Sequence, residues 1–203
     1  NPMGSHHPAR TIEAMIDALP DDCLLILDEA YIDLAPPGTE PSISLDDPRV
    51  IRMRTFSKGY GMAGLRIGYA IAAAPLIAAF NKVRNHFGVS GLSQAAALAA
   101  LADQDHLNWV RDQVVLARET FGRVAWENGL LPLPSATNFL TLDCGAGGDF
   151  ARRVLAELIA RDVFVRMPGV APLDRCIRVS LGGSAELAVF SAALPAAISA
   201  ARG

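Results

Sequence analysis

Lys58 stands between Ser57 and Gly59 in the run SKGYGMAGLR (57–66), which Arg66 closes. An amine in a glycine-rich loop can serve as nucleophile and proton carrier once a neighbouring cation or a dry pocket leaves it partly neutral. Three other runs carry groups of the same kind. DEAY (28–31) places two carboxylates and a phenol directly after an apolar stretch; CIRVSLG (176–182) places Arg178 inside an apolar strand pattern; NPMGS (1–5) opens on Asn1. A guanidinium offers a planar fork that matches carboxylate and phosphate oxygens, and a serine hydroxyl adds a donor. Taken singly, each run has an ordinary explanation: a surface lysine, a solvated carboxylate at a strand end, a structural ion pair for an arginine in an apolar strand.

The elements that would position these groups follow an α/β pattern. Ile12, Met15, Ile16 and Leu19 recur at helical spacing over residues 8–19, and Pro8 suits a first helical turn. Cys23 to Leu27 is an unbroken apolar run, which predicts a strand covered on both faces, with Asp28 and Glu29 at its C-terminal end, where α/β sheets bind ligands. VIRMRT (50–55) and IGYAIAA (67–73) read as further strands, 34–49 as a loop, and 75–84 as a helix. Residues 92–127 are helical in composition with a break near 103–105. The segment 128–137, holding Gly129, Pro132 and Pro134, reads as a turn. NFLTLDC, VFVRM and CIRVSL then read as strands. Residues 149–162 form an amphipathic helix with Asp149 as N-cap, and 185–201 form a last helix that Pro195 would kink. The expected division is 1–91 as part of an α/β layer, 92–127 as a bridging helical region and 128–203 as a small α+β unit.

Composition narrows the function classes. With 51% hydrophobic and 19% charged residues the chain is globular rather than disordered. A net charge of −3 argues against a nucleic-acid partner. The apolar stretches are short or broken by Pro, Gly or charge, so no membrane span is expected. Cys23, Cys144 and Cys176 are dispersed and form no CxxC, which suggests neither a metal site nor a disulfide framework; reduced thiols in the cytoplasm are the expectation.

In their order and spacing the four runs resemble the class I/II aminotransferases, the fold-type-I enzymes that use pyridoxal phosphate. Ser57-Lys58 followed by Gly64-Leu65-Arg66-Ile67-Gly68-Tyr69 matches the family's SK, spacer, GxRxGY element. Asn1-Pro2-x-Gly4 matches its NPTG element. ILDEAYIDL, RTFSKGYGMAGLRIGYA, SATNFLTLD and CIRVSLG are most similar to the histidinol-phosphate aminotransferase subgroup, while Asn85-His86-Phe87-Gly88 departs from the subgroup's commoner Pro-Tyr-Asn type.

The resemblance implies roles residue by residue. Lys58 would be the catalytic lysine that joins the cofactor covalently. Asp28 would face the pyridine nitrogen, Tyr31 and Asn1 the phenolic oxygen, and Ser57 and Arg66 the phosphate. Arg178 would take the substrate's α-carboxylate, with Asn138 near the substrate. It also implies a homodimer, small-molecule partners (an amino donor and a 2-oxo acid), and a C-terminal portion of a protein of roughly 350 residues, more than one ordinary domain. The expected reaction is transamination of histidinol phosphate with 2-oxoglutarate. An aromatic or general amino-acid aminotransferase and a phosphothreonine-type decarboxylase carry the same motifs. An inactive fragment or interaction module that keeps the fold is the alternative of another class.

Overall fold

The computed structural model describes residues 3–203, so Asn1 lies outside the described residues. The chain divides into two compact units: His6–Arg111, and Asp112–Gly203 together with the described residues before His6.

In the first unit, helix α1 (Ala9–Asp17) begins after Pro8, which sits at the N-cap rather than within the first turn, and buries Ile16. Strands β1 (Leu25–Asp28), β2 (Val50–Thr55) and β3 (Gly68–Ile71) form a sheet in that order. β1 and β2 run parallel, with Leu25 opposite Val50 and Asp28 opposite Met53; β3 returns antiparallel, with Thr55 opposite Gly68. β1 is an edge of this sheet, and Leu24 and Ile26 are 50% and 64% exposed, so the expected burial on both faces does not hold among the described residues. Helices α2 (Ala74–Phe80), α3 (Gly91–Ala102) and α4 (Gln104–Glu127) follow. The expected break falls at Asp103, whose carboxylate accepts from the His106 N–H at 3.0 Å and so caps the start of α4. Ser90 caps α3 by accepting from the Ser93 N–H.

The second unit is built on an antiparallel sheet, β4 (Leu131–Pro132), β5 (Phe139–Asp143) and β6 (Cys176–Ser180). Helices α5 (Gly148–Ile159) and α6 (Ser184–Arg202) complete it. β4 lies in the segment expected to be a turn. Its Pro132 is tolerated because β4 is an edge strand and its missing N–H breaks no ladder bond. β5 is buried along its whole length, and Leu142, Val154, Leu158, Ile177 and Leu194 are at most 1% exposed in one continuous core. Two expectations fail here. VFVRM makes only a single bridge, Arg166 to Arg178, since Pro168 has no N–H to extend a ladder. Gly147, not Asp149, precedes α5; Asp149 lies in the first turn, where a carboxylate complements the helix dipole. α6 continues through Pro195, which is exposed. α6 alone among the described helices is long and apolar enough to cross a membrane, and its Phe190, Leu194, Ala197 and Ile198 lie in the core.

Two outcomes are expected. Leu194→Ala removes a fully buried side chain and should lower the unfolding free energy by about 2–5 kcal/mol, read by urea denaturation. Hydrogen bonds from Arg175 hold the Asp143 carboxyl below its ordinary value, against a smaller opposing effect of burial. A depressed carboxyl contributes stability above its unfolded pKa and loses it as pH falls through the folded one. Asp143→Asn should therefore destabilise at neutral pH, and the thermal stabilities of the two proteins should converge below about pH 4. A gap that persists in acid would refute this account.

Candidate functional site

Parallel pairing puts the C-terminal ends of β1 and β2 at one end of the sheet, and antiparallel pairing adds the start of β3. Asp28 and Tyr31 leave β1 there, Ser57 and Lys58 leave β2, and Arg66 enters β3. This is the end at which open α/β sheets bind ligands.

Asp28 is exposed and accepts from the Ala30 N–H at 2.9 Å, an Asx turn that drives the chain out of β1. Tyr31 follows at the start of a short 3-10 turn (Ile32–Leu34). The Lys58 ammonium lies 5.1 Å from the centroid of the Tyr31 ring, within cation–π range. The Ser57 N–H donates to Thr55 Oγ1 at 3.1 Å, and the two hydroxyls are 3.0 Å apart. Behind the loop, Phe56 is buried against Tyr60 and Tyr69 at centroid distances of 4.9 and 5.6 Å.

Gly59 and Gly68 have steric reasons to be there. A Cβ on Gly59 would come within 3.0 Å of Asp33 Cβ and 3.1 Å of Leu107 Cδ1; a Cβ on Gly68 would come within 2.6 Å of the Arg54 carbonyl oxygen. Arg66 has a left-handed backbone (φ 49°), which turns the chain into β3, and its exposed guanidinium donates to the Ala63 carbonyl at 2.8 Å. The buried Ser93 hydroxyl donates to the Leu65 carbonyl at 2.8 Å and pins this turn to α3.

Under the site lies an ion network that the sequence reading passed over. The buried Glu29 carboxylate takes Arg52 Nε at 3.0 and 3.1 Å and Arg54 Nε at 2.8 Å. Arg52 and Arg54 also share Glu40. Burial opposes ionisation of Glu40, but the hydrogen bonds from both arginines outweigh it and hold the carboxyl below its ordinary value. Burial likewise opposes the charge on Arg54, and Glu29 and Glu40 outweigh it. The Glu29 N–H donates to the Met53 carbonyl at 2.9 Å, so this residue ties the end of β1 to β2 through backbone and side chain alike. The signal was present in VIRMRT: arginines two apart share a face of an otherwise apolar strand and require buried anionic partners. Neighbouring Asp33 is buried, which raises its carboxyl pKa.

Asn138 and Arg178 belong to the second unit. Asn138 precedes β5 and its carbonyl accepts from the Leu181 N–H at 2.9 Å, which prolongs the β5–β6 ladder. Arg178 is opposite Thr141, and its guanidinium carbon lies 4.7 Å from the centroid of the Phe139 ring, the diagonal neighbour on the same face. Stacking of this kind fixes the plane of the fork while leaving its N–H groups to a ligand. The structure thus gathers Asp28, Tyr31, Ser57, Lys58 and Arg66 in one unit and Asn138 with Arg178 in the other.

An amine beside a phenol, with a carboxylate, a hydroxyl and a guanidinium leaving the same end of one sheet, stands on an α/β scaffold. The chain belongs to the family of class I and II aminotransferases, whose family model matches residues 1–194. It is 36% identical to histidinol-phosphate aminotransferase 2 of Ralstonia nicotianae over 98% of this chain and 54% of that protein. It is 39% identical to histidinol-phosphate aminotransferase 1 of Nitrosococcus oceani over 94% and 51%. Among solved structures, histidinol-phosphate aminotransferase from Sinorhizobium meliloti in complex with pyridoxal-5'-phosphate superposes with a TM-score of 0.95 at 50% identity, covering 98% of this chain and 55% of that one. The fold is therefore that of the fold-type-I enzymes, and the chain spans about half the length of the curated relatives it matches.

Glu29→Gln should cost about 3–5 kcal/mol, because two guanidiniums lose a buried counter-charge. Glu40→Gln should cost less than about 1 kcal/mol, since the Glu40 side chain is 57% exposed. Chemical denaturation of the two variants measures both, and equal losses would contradict the assignment of Glu29 as the anchor.

Proposed function

We propose that the protein carrying this segment is a pyridoxal-phosphate-dependent aminotransferase that acts on histidinol phosphate and 2-oxoglutarate. The observation that carries the reading is the convergence of Asp28, Tyr31, Ser57, Lys58 and Arg66 at the strand ends of one sheet. That donor set fits the cofactor: an amine for its aldehyde, a carboxylate for a ring nitrogen, a phenol for a ring oxygen, and a hydroxyl with a guanidinium for a phosphate. Gly59, beside Lys58, and Gly68, after Arg66, leave no easy room for a side chain, which keeps this run close to the neighbouring backbone. The names and identities of the relatives support the choice of substrate.

The cofactor, when bound, supplies the electron sink for breaking a bond at the substrate's α-carbon. The chain's residues supply the rest. Lys58 Nζ would join the cofactor and carry the proton between its carbon and the substrate's. Asp28 would keep a proton on the ring nitrogen, and Tyr31 with Asn1 would donate to the ring oxygen. Ser57 and Arg66 would hold the phosphate. Arg178, its guanidinium plane set by Phe139, takes a carboxylate in bidentate fashion, and Asn138 adds a donor beside it. On this reading the region up to about residue 91 belongs to a larger cofactor-binding domain, 92–127 bridges, and 128–203 is the smaller domain. A homodimer in the cytoplasm is part of the same proposal. The free cysteines suit a reducing compartment, and the exposed Val83, Phe87, Leu92 and Leu98 suit a surface that further chain or a second subunit covers.

Mixing the protein with pyridoxal phosphate, reducing with borohydride and mapping peptides by mass should place a pyridoxyl adduct on Lys58, absent in Lys58→Ala. Turnover with an amino-donor panel then separates the substrates. Oxo-acid formation from histidinol phosphate supports the full proposal, from phenylalanine the aromatic enzyme, and release of carbon dioxide a decarboxylase. An adduct-free, inactive protein points to a fold kept without its chemistry.

A further inference from the structure

Gly4, in the run that opens on Asn1, is buried and has φ +86°, a conformation that L side chains rarely adopt. Its carbonyl accepts from the Ala136 N–H at 2.8 Å, a bond between segments more than a hundred residues apart. A Cβ at Gly4 would lie 2.4 Å from Ser135 Oγ and 3.1 Å from Thr137 Oγ1, so this backbone fits against two hydroxyls and nothing larger than glycine fits there. The hydroxyls are themselves held. Ser135 Oγ donates to the Phe139 carbonyl at 2.7 Å, and accepts from the Thr137 N–H at 3.1 Å. The Phe139 N–H donates to Thr137 Oγ1 at 3.3 Å, and Arg118 donates to the Thr137 carbonyl at 3.0 Å from α4. Thr137 is 1% exposed. The turn that grips Gly4 is thus the turn that delivers Asn138 and the Phe139 ring on which Arg178 stacks.

We propose that Ser135 and Thr137 form a clamp on Gly4 that ties it to the turn leading into Asn138 and Phe139. Gly4, Ser135 and Thr137 are positioning residues: Gly4 lies three residues from Asn1, which is assigned to the cofactor, and the turn leads to Asn138 and to the Phe139 ring under Arg178, which are assigned to the substrate. These roles rest on the function proposed above, but the clamp as a contact does not. Its consequence is that loosening the turn weakens cofactor and substrate binding together, although neither Ser135 nor Thr137 is assigned a contact with either.

The test compares Thr137→Val with Thr137→Ser in the intact protein. Hydrogen exchange over residues 3–8 and 136–142 is read without cofactor or turnover. Thr137→Val should raise exchange in both segments by on the order of tenfold, as expected for loss of a buried hydrogen bond, and Thr137→Ser should leave both near wild type. The dissociation constant of pyridoxal phosphate, titrated by absorbance, and the KM of the amino donor should rise together in Thr137→Val. Loosening confined to 136–142, with residues 3–8 still protected, overturns the clamp. Loosening of both segments with unchanged cofactor affinity overturns its positioning role. If Thr137→Val does not fold, Ser135→Ala, which removes one hydroxyl, gives the same reading. Wild-type protein that takes up no cofactor defeats the functional proposal instead, and exchange alone then judges the contact.

Discussion

The parallel pairing of β1 with β2, sealed at its end by Glu29, is the constraint on which the candidate site depends. A parallel pair sends both chains out at the same end, so Asp28 and Lys58, thirty residues apart in sequence, need no further device to face one region. Register matters as much as direction, because a slip of one residue would turn every side chain of a strand to the opposite face. Glu29 resists that slip. Its buried carboxylate is satisfied when Arg52 and Arg54 stand opposite, and a slipped register would leave it without those partners. A buried network of this kind adds little net stability over an apolar core. What it contributes here is a single permitted alignment of the strands that present the reactive groups.

The second unit reaches precision by a different route. Its core is apolar and closely packed, and its sheet buries all of β5. At the edge of that core the Ser135–Phe139 turn satisfies its own backbone through short side chains. The Arg178 guanidinium stands over the Phe139 ring, and no ion pair to it is seen among the described residues, whereas Arg52 and Arg54 are neutralised by two glutamates. The contrast separates arginines that build the sheet from the one proposed to bind, although all three lie in strands of similar apolar character.

Much of this was legible from residue order. The helical periodicity of 8–19 and 149–162, the break at Asp103 and the strand runs around 50–55 and 176–180 are local properties, set by side-chain spacing, capping and turn chemistry, and they survive in the structure with shifts of a few residues. The loop holding Ser57, Lys58 and Arg66 was legible as well, because Gly59 and Gly68 stand where a side chain would crowd its neighbours. Where the reading failed, the cause was an interaction with a partner distant in sequence, or a neighbour that forbids an extension. VFVRM has strand-like residues, but Pro168 ends its pairing. The Leu131–Pro132 pair has turn-like residues, but β5 offers it an edge.

The sequence by itself determined which chemical groups the chain carries and which short elements present them, since those depend on neighbours a few bonds away. Tertiary structure alone decided that Glu29 is an anchor and not a bystander, that Arg52 and Arg54 are neutralised while Arg178 stacks on Phe139, and that Gly4 belongs to the Ser135–Thr137 turn. These outcomes depend on which distant charges and hydroxyls reach a buried position together, and burial sets the energetic consequence of each pairing.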